Sequence, residues 1–144
     1  MGTKSSVEQL NSFLRGEISA VETYRMALEK IDHVSTARDE LLVNLKSHQD
    51  RVMMLTDAIR AAGGEPATSS GPWGAFAKVV EGGAKVFGEK AAIAALEEGE
   101  DHGVKDYKKL DDDIDMQTRS MVQNQLLPQQ QATHDRLSAL KKRI

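Results

Sequence analysis

Two acids and two imidazoles fall on helix faces that otherwise read as apolar. Stepping three and four residues from Val7 gives Val7, Leu10, Leu14, Glu17, Val21, Tyr24, Leu28 and Ile31, a face that Glu17 interrupts. Glu100 interrupts a second face made of Ile93, Leu96, Gly103, Tyr107 and Leu110. His48 lies on the stripe Leu41, Leu45, His48, Val52, Leu55, Ile59. His134 lies on the line Leu127, Gln130, His134, Leu137, beside a second line Leu126, Thr133, Leu137, Leu140. Carboxylates and imidazoles turned toward one core have two uses. They hold a divalent cation through mixed oxygen and nitrogen donors, or they satisfy one another as ion pairs or hydrogen-bonded neutral groups, with no ion at all.

The elements that must position these groups are helices. Long stretches of Ala, Leu, Glu, Lys and Gln favour helix, and no strand pattern appears. The capping box Ser5-Ser6-Val7-Glu8 predicts a first helix running to about Ile31, with His33-Val34-Ser35 as a tight connection. A second helix runs from near Thr36 to the Gly63-Gly64 pair. Residues 63–88 form a crossover, opening with the Gly-, Pro- and Ser-rich GGEPATSSGPWG. Its second half has weak helical periodicity broken by Gly82 and Gly83, and its Trp73, Phe76, Val79, Val80 and Phe87 are expected to pack over the helices. A third long helix covers about Glu89 to Asp111, and a fourth runs from about Met116 to the end, kinked or restarted at Pro128. The two halves are built alike. GEISAVETY at 16–24 and GEDHGVKDY at 99–107 share Gly-Glu, six residues, then Tyr; HQDRV at 48–52 and HDRL at 134–137 follow at similar distances.

Two helix pairs, each giving one core-facing Glu and one core-facing His around a long crossover, resemble the ferritin-like superfamily, an all-α antiparallel four-helix bundle built from a duplicated hairpin. The GE-x6-Y motifs are similar to those of rubrerythrin-type members. LEEGED at 96–101 and LLPQQQATHDRL at 126–137 look like an uncharacterised branch of that superfamily, a family of domains of unknown function. The resemblance implies Glu17 and Glu100 as terminal carboxylate ligands of a metal site and His48 and His134 as its imidazole ligands. The sequence then departs from the pattern, because Leu45 and Gln131 stand where the superfamily's Glu-x-x-His motifs carry their bridging acids. Two carboxylates neutralise one divalent ion and not two, so the quartet suits a single iron or zinc, for sequestration or stress-related redox work. The competing expectation is a metal-free structural or protein-interaction bundle that keeps the polar core as a hydrogen-bonded network. Tyr24 and Tyr107 are expected to pack with their hydroxyls on polar neighbours.

Bulk properties narrow the partners. The 144 residues fit one domain, and a net charge of −3 gives no general reason to approach nucleic acid or an anionic membrane. The absence of cysteine excludes disulfides and thiolate chemistry and fits a reducing compartment. With no signal-peptide pattern and no apolar run of spanning length, a cytoplasmic protein is expected. His33 and His102 read as solvated, LDDDIDM at 110–116 reads as a turn supplying a helix cap, and the methionines read as gap-fillers. No nucleophile elbow or phosphate-cradling loop is present, and the enzymatic alternative, an oxygen-activating oxidase or peroxidase, needs open coordination positions and usually two metals. Whether chains associate as a homo-oligomer is left open.

Overall fold

The computed structural model describes residues 3–32 and 34–144; His33, expected in the first connection, lies outside the described residues. Within them all regular structure is helical: α1 (Lys4–Lys30), α2 (Ala37–Ala61), α3 (Phe76–Phe87), α4 (Glu89–Lys108), α5 (Met116–Met121) and α6 (Leu127–Arg143). No helix among the described residues is long and apolar enough to cross a membrane.

Local chemistry sets the helix ends. The first helix starts slightly before the expected box, because Thr3 is the cap and its hydroxyl accepts from the Ser6 amide at 3.0 Å. Ser6 is then fully buried, and its hydroxyl accepts from the Asp115 amide at 2.9 Å, tying the start of α1 to the cap of α5. The Gly63-Gly64 stop is a Schellman motif. Gly63 takes φ +82°, its amide donates to Arg60 O, and the Gly64 amide donates to Ile59 O at 2.9 Å. Asp115, at the end of the acidic run, caps α5 by accepting from the Thr118 amide at 2.7 Å.

Side-chain bonds give the directions of the long helices. Arg38 reaches Leu28 O, and Glu17 reaches His48, so α1 and α2 run antiparallel. Gln9 reaches Lys109 O while Tyr24 reaches Glu100, so α1 and α4 also run antiparallel. Glu97 accepts from Ser138 and Lys141, and Glu100 accepts from Gln130, which sets α4 against α6 in the same way.

The crossover is more ordered than its pattern suggests. A 3₁₀ turn at Gly71–Ala75 leads into α3, which passes straight through Gly82 and Gly83 and packs against α1 and α4. Burial of Val80 supplies the stabilisation that helix propensity lacks. The expected packing holds for one side only: Val79, Val86 and Phe87 remain exposed.

Residues 116–143 form one rod. Between α5 and α6 the backbone opens into a π-helical turn at Val122–Leu126. The buried residues Thr118, Val122, Leu126 and Gln130 are spaced four apart, and each four-residue step would carry an α-helical face about 40° around the axis. A wider turn absorbs that drift. It also ends where Pro128, which has no amide hydrogen to give, enters the helix, so the proline is accommodated without a break.

The interior has two apolar lobes. One gathers Leu28, Leu41, Ile93, Leu96, Leu137 and Leu140; the other gathers Leu10, Leu14, Leu55, Ile59, Val122 and Leu126. A polar layer separates them.

Candidate functional site: a charge-balanced core layer

The layer is built from α1, α2, α4 and α6. His48 is its centre, 2 % exposed. Its Nδ1 lies 2.5 Å from Glu17 Oε1, and its Nε2 lies 2.6 Å from Glu100 Oε1. With Glu17 and Glu100 both held in the ionised form, their oxygens only accept, so both ring nitrogens donate and the imidazole is the doubly protonated cation. Burial alone would push the His48 pKa down, but the flanking Glu17 and Glu100 carboxylates outweigh it and hold it above the ordinary value.

Arg51, one turn further along α2, is the second cation and is fully buried. All five of its N–H groups find acceptors. Nη1 donates to Glu17 Oε2 at 3.2 Å and to Gln130 Oε1; Nη2 donates to Thr133 Oγ1 at 3.1 Å and Ser47 Oγ at 3.2 Å; Nε donates to Ser47 O at 3.4 Å. The 3.4 Å approach of Nη2 to His48 Nε2 is a contact between two donors, held by the carboxylates on either side.

The two acids are equally enclosed. Burial favours the protonated form of Glu17, yet Arg51 and His48 together keep its pKa below the ordinary range. For Glu100 the burial effect is likewise overcome, chiefly by His48 and then by hydrogen bonds from Thr133 and Tyr24. Gln130 Nε2 and Thr133 Oγ1 donate to Glu100 Oε2 at 2.8 and 2.6 Å. Two anions and two cations cancel, which is the condition for burying four ionised groups together.

The tyrosines pair crosswise. Tyr107 donates to Glu17 Oε2 at 2.5 Å, and Tyr24 donates to Glu100 Oε1 at 2.6 Å, so each acid is bonded by the tyrosine of the other half. Burial, followed by the carboxylate each one faces, raises both phenol pKa values well above the ordinary one. Asn44 then donates to Tyr24 OH and to Thr133 O, each at 3.0 Å, while its own Oδ1 is buried without a partner among the described residues.

Of the four residues expected to act together, Glu17, His48 and Glu100 meet and His134 does not. His134 sits on the outer side of α6, its Nε2 2.5 Å from Asp101 and its Nδ1 3.1 Å from Asp135. The reason is helical phase: the rod follows the line Leu126, Gln130, Thr133, Leu137, Leu140, which turns Gln130 and Thr133 inward. On α2 the observed inward stripe is Leu41, Asn44, His48, Arg51, Leu55, Ile59, so Asn44 and Arg51 replace the expected Leu45 and Val52. His102 is half-exposed, as expected, with its ring 4.5 Å from that of Trp73. Among the described residues, no three His, Asp or Glu side chains are placed to hold a common metal ion.

A cavity of about 310 Å³ reaches this layer from the α1–α4 side, with Glu17, His48, Glu100 and Gln130 at its floor. Gly16, Gly99 and Gly103 line it; a Cβ at Gly16 would meet nothing within 4 Å, while one at Gly99 would stand against the Phe76 ring. A Cβ at Gly103 would stand against the Gln130 amide, so glycine there is required by the network itself.

No curated protein and no solved structure matches the chain. The sequence model of one family, described as Domain of unknown function (DUF2383), matches residues 5–112, which carry Glu17, Tyr24, His48, Arg51, Glu100 and Tyr107. With three-quarters of its length inside that match, the chain belongs to the DUF2383 family.

Proposed function

We propose that the chain is a four-helix bundle of ferritin-like topology whose core acids and imidazole form a metal-free ion-pair network, and that it works as a structural or interaction module. The helix directions support the topology. Both α2 and α4 run opposite to α1 and therefore parallel to each other, which needs a long crossover between them. The inward-facing polar pairs spaced three apart on the facing helices are His48 with Arg51 and Gln130 with Thr133, and neither is a Glu-x-x-His pair.

Arg51 is the observation that carries the functional half. A guanidinium does not lose its proton, and this one occupies the interior beside Glu17. A divalent ion added next to it would meet a fixed positive charge in a medium that screens poorly. His48, with both nitrogens donating, has no lone pair to offer. The donor set therefore does not fit a metal. The reading with one iron or zinc draws on one observation, the meeting of Glu17, His48 and Glu100, and it requires His48 to release a proton and Arg51 to leave.

Metal content by inductively coupled plasma mass spectrometry separates the two. Protein purified without chelator or tag metal is measured before and after loading with iron(II) and zinc(II), beside His48→Ala. Substoichiometric metal throughout is expected. Near one ion per chain, retained on dialysis and lost in His48→Ala, would overturn the reading.

A further inference from the structure

The chain has six aromatic residues, and five of them, Phe13, Tyr24, Trp73, Phe76 and Tyr107, line the cavity that reaches the core layer. Among the described residues, that lining also contains four acids, Glu17, Glu98, Glu100 and Asp106, and no Lys or Arg, although the chain has 19 of those. The volume, about 310 Å³, is at the small end of the range for small-molecule sites.

Trp73 bridges the opening. Its carbonyl accepts from Ser19 on α1 at 3.0 Å, and its ring stands edge-on to His102 of α4. The floor acids are already saturated by His48, Arg51, Tyr24, Tyr107, Gln130 and Thr133. Asp106 at the rim is different: it is half-exposed, its nearest ionic partner, His102, is 3.7 Å away, beyond hydrogen-bond reach, and Lys109 acts on it through charge alone. Aromatic faces and an under-used carboxylate attract the same kind of ligand, because a ring's negative face and an acid both favour a cation.

We infer that this slot binds a small organic amine with an aromatic or apolar body, the ring held among Phe13, Trp73, Phe76 and Tyr107 and the ammonium on Asp106. Glu17 and Glu100 are balanced by His48 and Arg51, but an anion would still meet Glu98 and Asp106, with no Lys or Arg in the lining to offset them. The inference rests on the floor being the closed network described above, since a metal there would bring its own charge and open coordination to the cavity.

Trp73 is the chain's one tryptophan, so its emission reports on the site directly. The test is a fluorescence titration with phenethylamine, phenethyl alcohol and phenylacetate, confirmed by calorimetry, on protein whose metal content has been measured. Saturable one-to-one binding of the amine is expected, with the alcohol about tenfold weaker and the acid weaker still. Asp106→Asn should bring the amine to the level of the alcohol, about a tenfold loss. At Gly16 a Cβ meets nothing within 4 Å, so Gly16→Leu fills open space; it should abolish binding while the circular dichroism spectrum is kept. Equal affinity for all three probes, tighter binding of the acid, no saturable binding, or amine binding unchanged in Asp106→Asn would each overturn the inference. Metal found at one per chain would overturn the metal-free reading instead, and is read from a separate measurement.

Discussion

Arg51→Met is the most direct test of the core layer. The substitution keeps an unbranched apolar stem in the space of the arginine stem and removes the charge. It leaves Glu17, His48 and Glu100 in the interior with a net charge of one minus, and it strips acceptors at Glu17, Gln130, Thr133 and Ser47 of their donor. Breaking a buried ion pair from one side costs about 3–5 kcal/mol. A domain of this kind has about 5–15 kcal/mol in total, so the variant would be marginal. At roughly 3 °C per kcal/mol, its thermal midpoint should fall by about 9–15 °C. The double variant Glu17→Gln with Arg51→Met restores neutrality. The side-chain amide introduced by Glu17→Gln still offers an oxygen to His48, so the pair should recover at least about 2 kcal/mol of the loss. Both are measured by urea unfolding followed by circular dichroism, with the two single variants closing the cycle. A loss below about 1 kcal/mol in Arg51→Met, or a double variant no more stable than the singles, would refute the claim that charge balance holds this layer together.

Stability should have a plateau bounded on both sides by the same layer. The lowered Glu17 and Glu100 stabilise fully above the ordinary carboxylate value of 4.5 and lose that contribution as pH falls through their folded values; the raised His48 stabilises fully below 6.5 and loses its contribution as pH rises through its folded value. Urea midpoints measured across pH should therefore be highest between these values. His48→Gln should remove the alkaline decline, and His134→Gln, at the surface, should leave most of it. Two of the glycines lining the cavity should behave oppositely: Gly16→Ala, meeting nothing, should stabilise by about 0.5–1 kcal/mol, and Gly103→Ala, driven against Gln130, should cost about 1–3 kcal/mol in thermal melts.

Much of this arrangement was legible in the residues. Glu17 and Glu100 declared themselves because a carboxylate on an otherwise apolar stripe has no ordinary reason to be there, and His48 shared that signal. Gly63 was readable because a helix end needs a residue that tolerates positive φ. Arg51 was not, since arginine on a helix is normally read as a solvent-facing residue. The available sign was its position three after His48, on the same face. Gln130 and Thr133 lay on neighbouring candidate lines of the fourth helix, and the buried face runs between them, taking one polar residue from each and leaving His134 outside. The helix through Gly82 and Gly83 is hidden from the pattern because its stabilisation comes from contacts with α1 and α4, which no local sequence encodes.

The crosswise tyrosines have a consequence for how the molecule comes apart. Tyr107 reaches from the second half to Glu17 in the first, and Tyr24 reaches from the first half to Glu100 in the second. Neither hairpin can bury its own acid with a full set of donors, so a separated hairpin would expose or strand a carboxylate. The doubling seen in the sequence has thus become a mutual dependence: the halves should melt in one cooperative step, and neither should persist as an autonomous fragment.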